Sequence, residues 1–249
     1  MKKLFFTAFL AMTAFMLQSC SVTSDITYHK DAASTVLMDM DFKELLTLAK
    51  AQGSADTEEL EKIEKLPKEW TSFYDMEKNE GNELPTHPDS IRIMKKMFMK
   101  GNYIVNELSG MSIKFDHFTK ADYHALTAMK EKEEKLPLAV DNFNDWDGKK
   151  LIIDTDKLSL KDMEKSMAQG QSEDGEQPDP EQMKAMMSMM MKKFTINMKF
   201  ENDIKSITGK HDWIKQTDKR TIQIEFDTTN LDESKKFTNK DRQIVVVTE

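Results

Sequence analysis

The chain has 249 residues, 44 acidic against 36 basic side chains, and a formal charge of -8, a balance that argues against nucleic acid as a partner. Its 39% hydrophobic content suffices for a real core in one large domain or two small ones. One cysteine, Cys20, provides for neither a disulfide framework nor a thiolate metal site, and 20 methionines stand against 8 glycines and 6 prolines.

Met1-Lys2-Lys3 makes a positive start, Leu4 to Leu17 an apolar run too short to cross a bilayer with comfort, and small Ser19 precedes the thiol of Cys20. This start resembles the signal of a bacterial lipoprotein, with a signal peptidase II lipobox at Leu17-Gln18-Ser19-Cys20. The resemblance implies a signal peptide over 1–19, cleavage before Cys20, a diacylglyceryl group on its sulfur and an acyl chain such as palmitate on the new amino terminus. Residues 20–24 would then be a lipidated tether and 25–249 a single domain. Losing two lysines with the signal moves the charge from -8 to about -10, so acyl chains, at about 0.8 kcal/mol per buried methylene, would hold the protein at its membrane without a basic patch. Ser21 stands where the enteric sorting pattern places Asp for inner-membrane retention, which implies the outer membrane, facing either the periplasm or the cell surface.

The hydrophobic period then alternates between two and 3.6. Asp25 to Phe42 is expected to form a hairpin turning at Asp31 to Ser34, with Val36, Met38, Met40 and Phe42 on one face. Asp41 and Glu44 have capping-box spacing for a helix through Leu45, Leu46 and Leu48 that stops at Gly53. Residues 57 to 100 are expected to be helical, broken at Pro67 and over Gly81 to Pro88. Trp70, Phe73 and Tyr74 form one stripe; Ile91, Met94, Met97 and Phe98 form another, beginning at Pro88-Asp89 and closing at Gly101.

From Met111 to His117 the period is two again, Ala121 to Lys135 predicts a charged helix, and Asp147-Gly148 predicts a tight hairpin with positive φ at both residues. Asp162 to Ala168 suggests a short helix. Gln169 to Pro180 is expected to be a mobile acidic loop, followed by an expected methionine-rich helix over Glu181 to Lys193. Phe194 to Phe200, Ile204 to Ile207, Thr221 to Asp227 and Gln243 to Val247 supply further strands. The fold class is therefore α+β: antiparallel sheet packed against helices, with a helical insertion over 43–100 between the second and third strands.

Met183, Met186, Met187 and Met190 sit at helical spacing. Thioethers so placed pack a core, line a groove for an apolar ligand, or bind copper(I). The five histidines lack the paired spacing of a helical zinc site, and His117 with His124 and Asp116 is the nearest cluster in sequence. Asp141, Asp145, Asp147 and Asp154 resemble a calcium loop, but aligning Gly148 with its glycine puts Phe143 at the first ligand position, so a solvated hairpin rim is expected. Neither a phosphate-binding glycine loop nor a G-x-S-x-G elbow occurs.

The order of elements after the lipobox, a Tyr28-to-Met40 hairpin, helices, and closing strands from Phe194 to Asp227 around His211-Asp212-Trp213, resembles the LppM-type bacterial lipoproteins. That likeness implies an α+β extracytoplasmic domain associated with envelope lipids. The combined expectation is a non-catalytic, membrane-anchored binding module for an apolar ligand or another envelope protein, with no cofactor and no metal. An envelope-polymer-processing enzyme using Asp and His residues, or a methionine-based copper(I) carrier, are the alternatives.

Overall fold

The computed structural model describes residues 21–43, 46–47, 65–130, 143–158, 193–227 and 238–249. Among the described residues the chain forms a mixed eight-stranded sheet, a four-stranded antiparallel sheet and, beside helical residues at 43, 46 and 47, three bounded α-helices. Strand β1 (Ser21–Tyr28) turns through Ala32, at φ 65°, into β2 (Ser34–Asp41), so the first hairpin expected from period two is present. The expected tether is different: β1 begins at Ser21. Val22 and Ser24 lie in register with Met40 and Met38 on the apolar face, and the backbone is paired on both sides, so residues 21–24 are held as strand.

The insertion departs from expectation at its end. A short β3 (Thr71–Ser72) leads into α1 (Phe73–Glu80). Ser72 accepts from the Asp75 amide at 3.1 Å to cap this helix, and Gly81 closes it at φ 75°. Helix α2 (Pro88–Lys96) starts with Pro88 behind a His87 cap, as the sequence predicts, but Met97 and Phe98 are not helical. They open β4 (Met97–Ile104), where Met97 and Met99 project inward on alternate residues beside Phe115 and Ile113. Helical and strand spacing coincide over so short a run, and pairing with a neighbouring strand decides between them.

β4 turns at Val105-Asn106 into β5 (Glu107–Phe118), and α3 (Lys120–Lys130) follows. A register shift against β2 near Ser34, with φ 51° at His117, moves that histidine off the inner face where the alternation placed it; Phe118 is fully buried instead. Strands β6 (Asn144–Trp146) and β7 (Lys150–Asp154) form the predicted second hairpin, but only Gly148 has positive φ, at 99°. The two-residue loop is Gly148-Lys149, with glycine at its first position as a type II′ turn requires. Asp147 instead accepts from the amides of Lys149 (2.9 Å) and Lys150 (2.7 Å).

The remaining strands are β8 (Lys193–Phe200), β9 (Ile204–Thr208), β10 (Ile214–Gln216), β11 (Thr221–Asp227) and β12 (Gln243–Thr248). The large sheet runs β10-β11-β8-β1-β2-β5-β4-β3 and the small one β6-β7-β12-β9. β1 and β8 run parallel; every other pair is antiparallel. A parallel pair needs a long crossover, and the helices and β6–β7 lie between these two strands in the chain.

Registered positions place Ile26, Tyr28, Val36, Met38, Ile113, Phe115, Ile196, Met198, Ile222 and Ile224 on one face of the large sheet. One half of that face packs on the small sheet through Trp146, Leu151, Ile153, Ile244 and Val246. The other half carries the helices through Ile93, Leu126 and Phe118. Tyr28 sits where β1 meets both halves, 1% exposed and stacked on Phe200 at 5.3 Å. Burial pushes its phenol well above the ordinary value, and among the described residues its hydroxyl has no hydrogen-bond partner.

Candidate functional site

Strand directions sort the chemistry to two ends of the large sheet. At the end reached by Tyr28, Ser34, Met97 and Phe118, ionic groups gather. Asp122 is 2% exposed in the first turn of α3, where it accepts from Lys96 Nζ (2.8 Å), Arg92 Nε (3.0 Å) and the Thr119 amide (3.0 Å) and hydroxyl (2.9 Å). Burial alone would raise its carboxyl; the hydrogen bonds from Lys96, Thr119 and Arg92 outweigh that and hold it far below the usual carboxylate range. This network fastens α2 to α3.

At the same end, His29 is hydrogen-bonded through Nδ1 to Glu201 (2.9 Å) and through Nε2 to the Thr35 hydroxyl (2.9 Å). Its ring lies 4.8 Å from that of His117, whose Nε2 meets Asp31 at 2.8 Å. His29 thus lowers the Glu201 carboxyl, helped by the Lys30 amide, and the Ala33 amide and then His117 lower that of Asp31. The structure therefore pairs His117 with His29 and Asp31, rather than with the sequence neighbours His124 and Asp116. Both ring nitrogens of His29 are committed to these bonds, and the Trp146 indole donates to its carbonyl at 2.7 Å, so the arrangement locks the β1–β2 turn onto β8 and β6. Nothing in the sequence pattern could have joined His29 to Glu201, 172 residues away.

On the sheet face opposite the core, Gln223 donates to Asn197 (2.8 Å) and Asn197 to Asp25 (2.8 Å), a row of polar side chains across β11, β8 and β1. Further along, Ser112 donates to Asp39, and Asn102 donates to Ser112 at 2.9 Å. Lys114 Nζ stands 4.6 Å over the Phe98 ring and 5.6 Å over Trp70, with Lys100 5.1 Å over Trp70. This face offers hydrogen-bonding groups and cation-backed aromatic rings.

A cavity of about 250 Å³ lies at the other edge, lined by Ile207, Lys210, His211, Ile214, Asn239 and Ile244 among others. His211 is 5% exposed, and burial lowers its imidazole below the ordinary value against the opposing pull of Asp212 and Asp241. Asp212 accepts from the amides of Thr238 (2.7 Å) and Asn239 (3.1 Å). The carboxylates of the calcium-like run have structural partners: Asp147 in the hairpin turn, Asp145 with Lys120 of α3 at 2.5 Å, and Asp154 capping the following turn through the Asp156 amide at 3.2 Å; Asp141 lies outside the described residues. So do Cys20, the four methionines Met183, Met186, Met187 and Met190, and the loop 169–180. Among the described residues, no helix is long and apolar enough to cross a membrane.

No protein-family profile and no curated protein matches the chain. Among solved structures it is similar to the folded domain of the LppM protein of Mycobacterium tuberculosis, determined by NMR, with a TM-score of 0.39 and 8% identity over 92% of this chain and 90% of that one.

Proposed function

We propose that this chain is a lipid-anchored envelope lipoprotein whose α+β domain is a non-catalytic binding module. The observation that carries the reading is the junction between anchor and fold. The lipobox pattern ends at Cys20, and β1 begins at the next residue, paired with β2 on one side and β8 on the other. One residue of extended chain spans at most about 3.6 Å, so acylation of Cys20 would hold the end of a central strand against the headgroups.

Binding is favoured over catalysis because the clustered acids and histidines at the ionic end are spent on structure. Asp122, Asp31, Glu201 and His29 each satisfy backbone or side-chain partners that hold elements together. Of the two occupants, an envelope protein suits the polar row of Gln223, Asn197 and Asp25 with the lysine-backed Trp70 and Phe98. The apolar-ligand reading rests on Met183, Met186, Met187 and Met190, which immediately precede β8 in the chain, and β8 starts beside Ser21. Outer-membrane residence remains the sorting implied by Ser21.

Metabolic labelling with a clickable palmitate, followed by membrane fractionation, tests the anchor. Wild type should label and pellet with membranes, and Cys20→Ser should lose both properties. Continued labelling and pelleting of Cys20→Ser would overturn the reading. Native mass spectrometry of the membrane form then separates the occupants, since an apolar-ligand carrier retains a lipid beyond its covalent anchor.

A further inference from the structure

The β4–β5 hairpin closes at Val105-Asn106 with φ of 49° and 71°. Two-residue loops with both φ positive are ordinarily filled by Asn, Asp or Gly, and a β-branched side chain there is a steric outlier. Turn geometry therefore does not account for Val105. Nor does the core: Val105 is 91% exposed and Ile104 52%, and with Trp70 they are the large apolar side chains standing in solvent among the described residues.

The groups behind the apex have interfacial character. The Tyr103 hydroxyl donates to the Leu66 carbonyl at 2.6 Å, and Lys68 lies 5.3 Å over the Tyr103 ring with its Nζ 3.4 Å from Asn106 Oδ1. An aliphatic apex with a tyrosine and a lysine set back from it matches the composition of elements that sit at a bilayer surface, where aromatic rings lie at headgroup level and lysines reach for water.

Strand register fixes which way the apex points. Val22 is level with Met40, Met40 with Met111, and Met111 with Gly101. Cys20 comes two residues before Val22, and Val105 four residues after Gly101, both toward the same end of the sheet. At about 3.3 Å per residue the apex stands about 13 Å beyond the level of Val22, and three strand spacings, about 14 Å, to one side.

We propose that Ile104 and Val105 insert into the lipid bilayer beside the acylated Cys20, so that the sheet stands on its end at the membrane with two points of contact. This rests on the lipid-anchor reading above. The strained valine is then retained for the apolar surface it offers to the acyl region, with Tyr103, Lys68 and Glu107 at headgroup level.

Because the mature Cys20 sulfur is blocked by its thioether, Val105→Cys in the full acylated protein supplies a single reactive thiol for an environment-sensitive fluorophore. Lys30→Cys, at the opposite end of the sheet, is the control. Both proteins are incorporated into vesicles of phosphatidylethanolamine and phosphatidylglycerol, floated, and challenged with lipids spin-labelled near the headgroup. The expected result is co-flotation of both, with emission from position 105 blue-shifted and quenched several-fold more than from position 30. Co-flotation with equal, weak quenching at the two positions would overturn the inserted apex while leaving the anchor standing. Failure of both proteins to float would overturn the anchor, and the apex proposal with it.

Discussion

The two ends of the eight-stranded sheet obey opposite rules. At one end the clustered charges are paired: Asp122 with Lys96 and Arg92, His29 with Glu201, His117 with Asp31. Helices, hairpin turn and both sheets are tied there. At the other end β1 starts next to Cys20, and a hairpin projects an aliphatic apex in a backbone conformation that suits its residue poorly. A protein spends local stability where something other than folding selects the residue; the ionic end holds the fold together, and the apolar end is the one proposed above to meet the membrane.

The sharpest way to break this contrast is at Asp122. Asp122→Ala leaves Lys96 and Arg92 without their buried carboxylate and should lower unfolding free energy by about 3 kcal/mol, read by urea denaturation. The pH dependence gives the same residue a signature. Its carboxyl is lowered on folding, so the stability it contributes is fully present above the unfolded carboxylate value of about 3.9 and is lost as pH falls below it. Asp122→Asn should therefore flatten the acid limb of the stability profile, and an unchanged limb would refute the role.

A smaller effect of opposite sign is expected at the other end. Val105→Asn puts a residue that tolerates positive φ at the hairpin apex and should raise stability by about 1 kcal/mol, measured by the same denaturation. A loss of stability would mean that the valine is retained for the fold. The smallest effect concerns His211, at the edge away from both. Burial lowers its imidazole below the unfolded value of about 6.5, so its contribution declines as pH falls through that value. Following the ring protons by NMR should show His211 titrating at lower pH in the folded protein than in the urea-unfolded chain, and an unchanged midpoint would contradict its burial.

Legibility in the sequence followed the range of the interaction. Period two announced β1, β2, β8 and β11, because in each the alternation matches a wet face against a dry one. Pro88-Asp89 marked the start of α2 and Gly81 the end of α1, since both act through their own backbone. The end of α2 is not set locally: Met94, Met97 and Phe98 satisfy a helical stripe, and only pairing with β5 turns Met97 into strand. The Val105-Asn106 turn carries Asn106 but neither a glycine nor a polar residue before it, so two hairpins with loops of equal length differ in visibility, Gly148 marking one far more plainly than a lone asparagine marks the other.

What the chain determined by itself is the alternation of its strands, the caps of its helices, its acidic character and a sole cysteine placed just after an apolar run, because each is read directly from the residues. The tertiary structure alone decided that β1 lies parallel to β8, that His29 meets Glu201 across 172 residues, and that Ile104 and Val105 point past the strand that follows Cys20. Those are outcomes of sheet register, and register is settled by which apolar faces can be buried together rather than by any local run of sequence.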